Sequence, residues 1–178
     1  MTCRELLRRF IEALEKNEVD KETFRKLRNK CGAFADEALK ALAKKVALVA
    51  MSRAWAIYRG AVIAERDPAR AFGYAVDYVW HIVNWFNKPC HFLSELIAYT
   101  AEAAARYRWP SRWPLVAPAA VAAEENGCEL PEAVAEALGA DEYAKLESFL
   151  EQGEAVVEVA PGLKVALIRD GRYVVMVV

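Results

Sequence analysis

The sequence predicts a mainly α protein that ends in a small β meander, an α+β fold class. Apolar residues recur at helical spacing through most of residues 1–152 and alternate at period two after residue 153. We therefore expect a multi-helix bundle over residues 1–152 and a three-stranded antiparallel meander over residues 153–178, packed on the bundle or on a partner. A chain of 178 residues is long enough to bury such a core without disulfides or a structural metal.

The first two helices begin at recognisable caps. Thr2 and Glu5 have the spacing of a capping box, followed by the apolar stripe of a helix over about residues 2–16. Asp20 can cap a second helix. Gly32 is expected to separate this helix from the next, although one long helix is the alternative.

Residues 38–65 are predicted to form the central, buried helix of the bundle. Arg53 and Arg59 are among the charges that interrupt it, and no charge-free run approaches the roughly 20 residues that a bilayer requires. A helix that is apolar on two faces is a buried one. The residues of these two faces are Leu39, Leu42, Val46 and Val49, and Leu48, Trp55, Tyr58 and Val62.

Two further helices are predicted on either side of a turn at residues 87–89. Asp67 and Pro68 suit the N-cap and the first position of a helix that runs to about Phe86. The second helix follows the turn and ends near Tyr107. So short a connection predicts an antiparallel helical hairpin.

An irregular loop is expected between Arg106 and Pro114, because two prolines interrupt this stretch. Three short helices are predicted after it, over residues 117–126, from Pro131 to Gly139, and from a cap at Asp141 to Gly153.

The period-two stretch predicts three strands with turns at Pro161-Gly162 and Asp170-Gly171. Asp-Gly favours a type I′ hairpin turn, which indicates a meander. The last strand is apolar on both faces, so it needs a cover. We expect the helices of the same chain to cover it, and strand-mediated dimerisation is the alternative.

The composition is typical of a thermophile, with one Gln, few Asn and Met, and abundant Glu, Arg and Lys. No apolar leader segment is evident, which predicts a cytoplasmic location. In that compartment free buried thiols are expected, although the interiors of hyperthermophiles tolerate disulfides. The cysteines are Cys3, Cys31, Cys90 and Cys128, which allow three pairings and contain no CxxC motif.

Charge is distributed unevenly along the chain. Residues 1–60 contain 14 basic and 8 acidic residues, and residues 113–178 contain 4 basic and 12 acidic ones. This asymmetry indicates either an anionic partner for the first part or complementary packing of the two ends.

The loop around Trp109 is the candidate for recognition of nucleic acid or a protein partner. Arginines neutralise phosphates and aromatic rings stack on bases, and the same residues suit a protein interface. The alternatives are rings that pack on the bundle and a basic stripe that is only solvated. The candidate residues are Arg106, Arg108, Trp109, Arg112 and Trp113 in the loop, and Lys21, Arg25 and Arg28 on the second helix.

Two acid–histidine pairs are candidate metal ligands. Asp77 precedes His81 by four residues, and Glu95 follows His91 by four, so each pair shares a helix face. If the faces meet across the predicted hairpin, the four side chains suit Zn, Fe or Mn, and Cys90 could join them. The alternative is a core His81 and an exposed or capping His91.

No phosphate-binding glycine loop, GxSxG elbow or dinucleotide fingerprint is present, which argues against nucleotide and hydrolase chemistry. The leading hypothesis is a non-catalytic interaction or assembly subunit without a cofactor, homo-oligomeric or part of a larger complex, that contacts nucleic acid through its basic part and the Arg/Trp loop. The alternative is an enzyme that uses a divalent transition metal at the two acid–histidine pairs. No membrane association is expected.

Overall fold

The computed structural model describes residues 1–84, 89–171 and 173–177. The described part is mostly helical with a C-terminal antiparallel sheet, which confirms the predicted α+β class. The chain divides into two compact units, Met1–Lys45 and Val46–Val178. The strands that follow residue 152 pack on helices that precede them.

The first unit contains α1 (Cys3–Glu15), α2 (Lys21–Lys30) and the start of α3 (Gly32–Ile63). The capping box at Thr2 is confirmed: its hydroxyl accepts from the Glu5 N–H at 3.2 Å, and the Glu5 carboxylate accepts from the Thr2 N–H at 3.1 Å. Asp20 caps α2 by accepting from the Thr23 N–H at 3.0 Å, and this bond lowers the pKa of the Asp20 carboxyl.

The core of the first unit lies between α1, α2 and the first turns of α3. Phe10 and Leu27 are fully buried in it, and a disulfide joins Cys3 to Cys31. The expected break between α2 and α3 is confirmed at Cys31, whose backbone is not helical. The buried residues of this core are Leu6, Phe10, Leu14, Leu27, Cys31, Ala35 and Ala38.

Helix α3 is not the buried central helix that the sequence predicts. Its buried positions are mostly alanines, whereas Val62 is 40% exposed and Ile63 is 73% exposed. By length and composition α3 is the one described helix that could cross a bilayer. Its most apolar 18-residue window has a mean hydropathy of 1.3, and 22% of that window is buried. Core helices of soluble proteins and N-terminal signal sequences meet the same criteria, so we assign no membrane role to α3.

The second unit contains the end of α3 and five further helices. Asp67 caps α4 as predicted, since its carboxylate accepts from the Ala69 N–H at 2.9 Å. The turn predicted at residues 87–89 lies largely outside the described residues. The helices are α4 (Pro68–Asn84), α5 (Cys90–Arg106), α6 (Trp113–Glu125), α7 (Ala133–Leu138) and α8 (Ala140–Gln152).

Helix α6 is the buried helix of the second unit, and it packs against α4, α5, α8 and the sheet. It begins at Trp113, four residues before the predicted start, despite Pro114 and Pro118. Pro114 is tolerated because the N–H groups of a first helical turn have no intrahelical acceptor. Pro118 then forgoes only one intrahelical bond, and burial of the surrounding apolar side chains offsets that loss.

The sheet contains β1 (Glu154–Ala160), β2 (Leu163–Asp170) and β3 (Tyr173–Val177), in that order and antiparallel throughout. The face of β3 that carries Val174, which is 6% exposed, lies against α4 and α6. For this face, cover by helices of the same chain agrees with the expectation above; the side chains of the other face lie outside the described residues.

Arg169 connects the sheet to the C-terminal end of α6. Its guanidinium donates to Glu124 at 2.9 Å and to Glu125 at 2.8 Å, and its side chain is only 14% exposed. These bonds raise the pKa of Arg169 against the opposing effect of burial. Acidic residues at a helix C-terminus oppose the helix dipole, so the arginine also offsets an unfavourable local charge.

The expectation of free thiols is wrong. Cys3 is bonded to Cys31 and Cys90 to Cys128, and no free cysteine remains. The second disulfide joins the first residue of α5 to the segment that follows α6. Sequence alone permitted three pairings, and only proximity in the fold selects between them.

Removal of the first disulfide is expected to destabilise the first unit. The two cysteines are 28 positions apart in the chain. Replacement of both by serine (Cys3→Ser and Cys31→Ser) opens the loop between them, which typically lowers the free energy of unfolding by about 2–4 kcal/mol. Urea unfolding followed by circular dichroism measures this change. In the control, the unfolded and unreduced wild type is titrated with a thiol reagent, and reaction of all four cysteines would contradict the pairing.

Candidate functional site

An open groove runs along the first strand of the sheet, and we call it the β1 groove. Its cavity volume is about 600 Å³, within the rough range of 300–1,000 Å³ that is usual for ligand sites. Residues 156–161 supply one continuous stretch of its lining. The other lining residues are Tyr58, Val62, Pro68, Arg108, Pro110, Ser111, Trp113, Glu142 and Lys145.

The backbone of β1 is unpaired on the groove side. The Arg169 N–H donates to the Gly153 carbonyl at 2.8 Å, so the ladder bonds between β1 and β2 continue at Ala155 and Val157. The N–H and C=O groups of Val156 and Glu158 therefore point away from β2. No described residue forms a backbone hydrogen bond with them, which makes β1 an open edge strand.

The side chains that flank this edge are exposed. Val156 is 66% exposed, and Glu158 beside it is exposed as well. Val157 and Val159 point to the opposite side and are buried. A segment that paired with β1 would thus meet an exposed apolar side chain on one face and the core on the other.

Glu142 of α8 fixes the start of α6 next to the groove. One of its carboxylate oxygens accepts from the Trp113 N–H at 2.8 Å, the Arg112 N–H at 3.2 Å and the Ser111 hydroxyl at 3.4 Å. A carboxylate at a helix N-terminus satisfies N–H groups that have no intrahelical acceptor and suits the helix dipole.

Two basic side chains and one hydroxyl also line the groove. Arg108 is exposed and forms no ion pair with a described residue, whereas Lys145 pairs with Asp141 at 3.3 Å. Tyr58 is half-buried, and burial raises the pKa of its hydroxyl, so the phenol stays protonated and able to donate.

An aromatic cluster lies beneath Tyr58. The rings of Trp55 and Tyr58 lie 5.0 and 5.2 Å from the ring of Trp109, and Phe72 lies 5.7 Å from it. The Trp109 indole N–H is buried and has no hydrogen-bond partner among the described residues. Packing of the rings, rather than hydrogen bonding, holds Trp109 in place.

The predicted Arg/Trp loop does not present its rings to solvent. Trp109 is 7% exposed and Trp113 is 1% exposed, with Trp113 packed on Phe149 at 5.3 Å. Arg112 donates to the Leu138 carbonyl at the end of α7 at 3.4 Å. These residues pack as the alternative given above describes, and the buried rings offer no face on which a base could stack.

The remaining candidate cations are exposed. Arg106 pairs with Glu102 at 3.0 Å on the same helix, whereas Arg108 pairs with no acidic side chain among the described residues. On α2, the side chains of Lys21, Arg25 and Arg28 are all exposed, and none forms an ion pair with a described residue.

Three of the four candidate metal ligands are exposed on helix surfaces, and Glu95 of α5 is half-buried. Asp77 and His81 form a surface pair at 3.5 Å, and His91 is exposed at the start of α5. Within the described ranges no three His, Cys, Asp or Glu side chains are grouped as metal ligands. Helices α4 and α5 both pack on α6, and Cys90 is held in a disulfide.

The chain matches no known family: no family model, no curated protein and no solved structure corresponds to it. Geometry is therefore the basis for any statement on function.

Sequence reasoning singled out Arg108 and Trp113 of the groove lining but missed Glu142 and Arg169, which position the elements around the groove. Glu142 and Arg169 act across separations of about thirty and forty-five positions, which no local pattern reveals. The sequence feature that could have revealed the groove is the first strand of the meander. Such a strand pairs with the second strand on one side, and the backbone groups of its other side remain unpaired.

Loss of the Glu142 carboxylate is expected to loosen the start of α6. Glu142→Ala leaves the N–H groups of Arg112 and Trp113 without their acceptor, which should lower the free energy of unfolding by about 2–3 kcal/mol. Urea unfolding measures the change. The matched control is Glu147→Ala, an exposed glutamate of the same helix, for which a change within about 0.5 kcal/mol is expected. Equal effects of the two substitutions would show that Glu142 is not a structural cap.

Proposed function

We propose that the protein is a non-catalytic interaction subunit that binds an extended segment of a partner protein by strand addition to β1. The observation that supports this most directly is the unpaired backbone of Val156 and Glu158 beside an open groove. In strand addition, main-chain hydrogen bonds supply affinity, and pockets for alternate side chains supply specificity.

The groove has the features that this mode of recognition requires. Residues 156–161 offer a continuous edge, and Tyr58, Val62 and Pro68 supply apolar surface next to it. Val156 is a large apolar side chain left 66% exposed, which is unfavourable in water unless a ligand covers it.

The same edge also accounts for the expectation that the protein works in an assembly. We place it in the cytoplasm of a thermophile, where intramolecular disulfides such as Cys3–Cys31 and Cys90–Cys128 are a known feature of intracellular proteins. We do not carry forward the metal-dependent enzyme, because no described feature favours it.

Proline at position 156 tests strand addition. Val156→Pro removes an N–H that points away from β2, so the sheet keeps its own bonds while an added strand loses one and meets the proline ring. Peptides are selected from a displayed random library on the wild-type protein, and fluorescence anisotropy then gives their Kd for each variant. Val156→Pro should weaken binding at least about tenfold.

The matched control for this experiment is Val156→Thr, which keeps the N–H and a β-branched side chain. It should bind the selected peptides within about threefold of the wild type. Circular dichroism checks that both variants fold. Peptides that bind Val156→Pro as tightly as the wild type, or a library that yields no binder, would overturn the proposal.

Nucleic-acid binding is the second candidate function, and the exposed stripe of Lys21, Arg25 and Arg28 on α2, which forms no ion pair with a described residue, favours it. Three cations at this spacing lie on one helix face and can contact successive phosphates. Because Trp109 and Trp113 are buried, such binding would depend on charge and would show little preference for sequence.

The salt dependence of binding tests this second function. Substitution of all three residues by alanine should weaken binding of a labelled single-stranded oligonucleotide and reduce the slope of log K against log salt by about 2. The charge-matched control replaces Arg66, Arg70 and Lys164, which are exposed residues of the second unit. An unchanged slope in the α2 variant, or an equal change in the control, would contradict nucleic-acid binding through this stripe.

A further inference from the structure

Some polar groups that line the β1 groove form hydrogen bonds or ion pairs within the chain, and others form none with a described residue. Its two carboxylates are engaged: Glu142 accepts three hydrogen bonds at the start of α6, and Glu158 accepts from the Gly162 N–H at 3.2 Å. One oxygen of each carboxylate is therefore engaged within the chain.

The donors of the groove are less engaged. Arg108 forms no ion pair with a described residue, and the Tyr58 hydroxyl forms no hydrogen bond with one. Within the described part of the chain Lys145 pairs with Asp141, and both side chains are more than half exposed. An exposed pair of this kind contributes little and is readily exchanged for another partner.

Side-chain donors without a partner among the described residues favour a ligand that supplies an acceptor to them. We infer that the segment bound in the β1 groove carries an Asp or Glu side chain that pairs with Arg108. This inference rests on the proposed function, and it adds the charge of the ligand to the strand addition argued above. A planar guanidinium that can bind both oxygens of a carboxylate suits this role.

The carboxylate comes from a side chain rather than from a chain terminus. Recognition of a C-terminal carboxylate commonly uses a group of backbone N–H donors. Here the N–H groups of Arg112 and Trp113 already donate to Glu142. In strand addition the N–H groups of Val156 and Glu158 bond to the main chain of the added strand. The side chain of Arg108, which lines the same groove, remains for an acidic side chain of that strand.

Charge reversal at Arg108 tests this inference on the peptides selected against the wild-type protein. Each peptide is synthesised with its acidic residue, with that residue changed to Gln or to Lys, and with a free or an amidated C-terminus. Anisotropy then gives the Kd of each for the wild type, Arg108→Glu and the control Arg53→Glu. Arg53 is an exposed arginine of α3 that does not line the groove.

The expected result is an enrichment of Asp or Glu among the selected peptides. Arg108→Glu should bind them at least about fivefold more weakly than the wild type and should prefer the Lys versions, because an attraction is replaced by a repulsion. Arg53→Glu should behave as the wild type, and amidation of the C-terminus should have little effect.

Failure of this inference is distinguishable from failure of the proposed function. Peptides that depend on Val156 but show no acidic preference, or that lose binding on amidation, would overturn the acidic side chain and leave strand addition in place. Peptides that bind Val156→Pro unchanged would overturn both. A wild-type dimer by light scattering that Val156→Pro converts to a monomer would show that a second copy fills the edge, which also overturns the inference.

Discussion

Burial of α6 on almost every side is the constraint on which the second unit depends. Both ends of this helix are tied to other elements by polar contacts: Glu142 of α8 accepts the N–H groups at its start, and Arg169 of β2 binds Glu124 and Glu125 at its end. Because α8 leads directly into β1 and β2 pairs with β1, these two contacts also position the first strand. The groove is thus a consequence of how α6 is held.

An open edge strand requires protection from aggregation, and β1 carries the kind of protection that natural sheets use. Glu154 and Glu158 are exposed on either side of Val156 along the strand. If two copies paired antiparallel with Val156 opposite Val156, each Glu154 would face a Glu158, which is unfavourable. This register of self-pairing is therefore disfavoured.

Local chemistry made much of the fold predictable. The capping box at Thr2, the cap at Asp67 and the break at Cys31 depend on residues close in sequence, and each was found where the sequence placed it. Periodicity also identified the helical part and the C-terminal antiparallel strands. Periodicity failed to identify the central helix. The long apolar run of α3 suggested a buried helix, whereas the two prolines of α6 suggested a shorter one. The pattern of a helix does not show which of its surfaces neighbouring elements will cover.

The candidate site was harder to predict because it depends on tertiary contacts. Trp109 and Trp113 alternate with arginines in a way that suits stacking on bases, yet the same rings fill the core of the second unit. Arg108 was noted for phosphate, whereas its place in the groove led us to propose a carboxylate ligand. The disulfides likewise follow from proximity, since Cys90 and Cys128 are 38 residues apart in the chain.

Residue-resolved amide exchange of the free protein tests the central claim, an unpaired outer edge of β1, most directly. The N–H groups of Ala155 and Val157 donate to β2 and should exchange slowly, whereas those of Val156 and Glu158 should exchange at rates close to those of an unstructured chain. An alternation of slow and fast exchange along β1 is the result that the account predicts. Uniform protection of all four amides would contradict it, because it would mean that the edge is already covered.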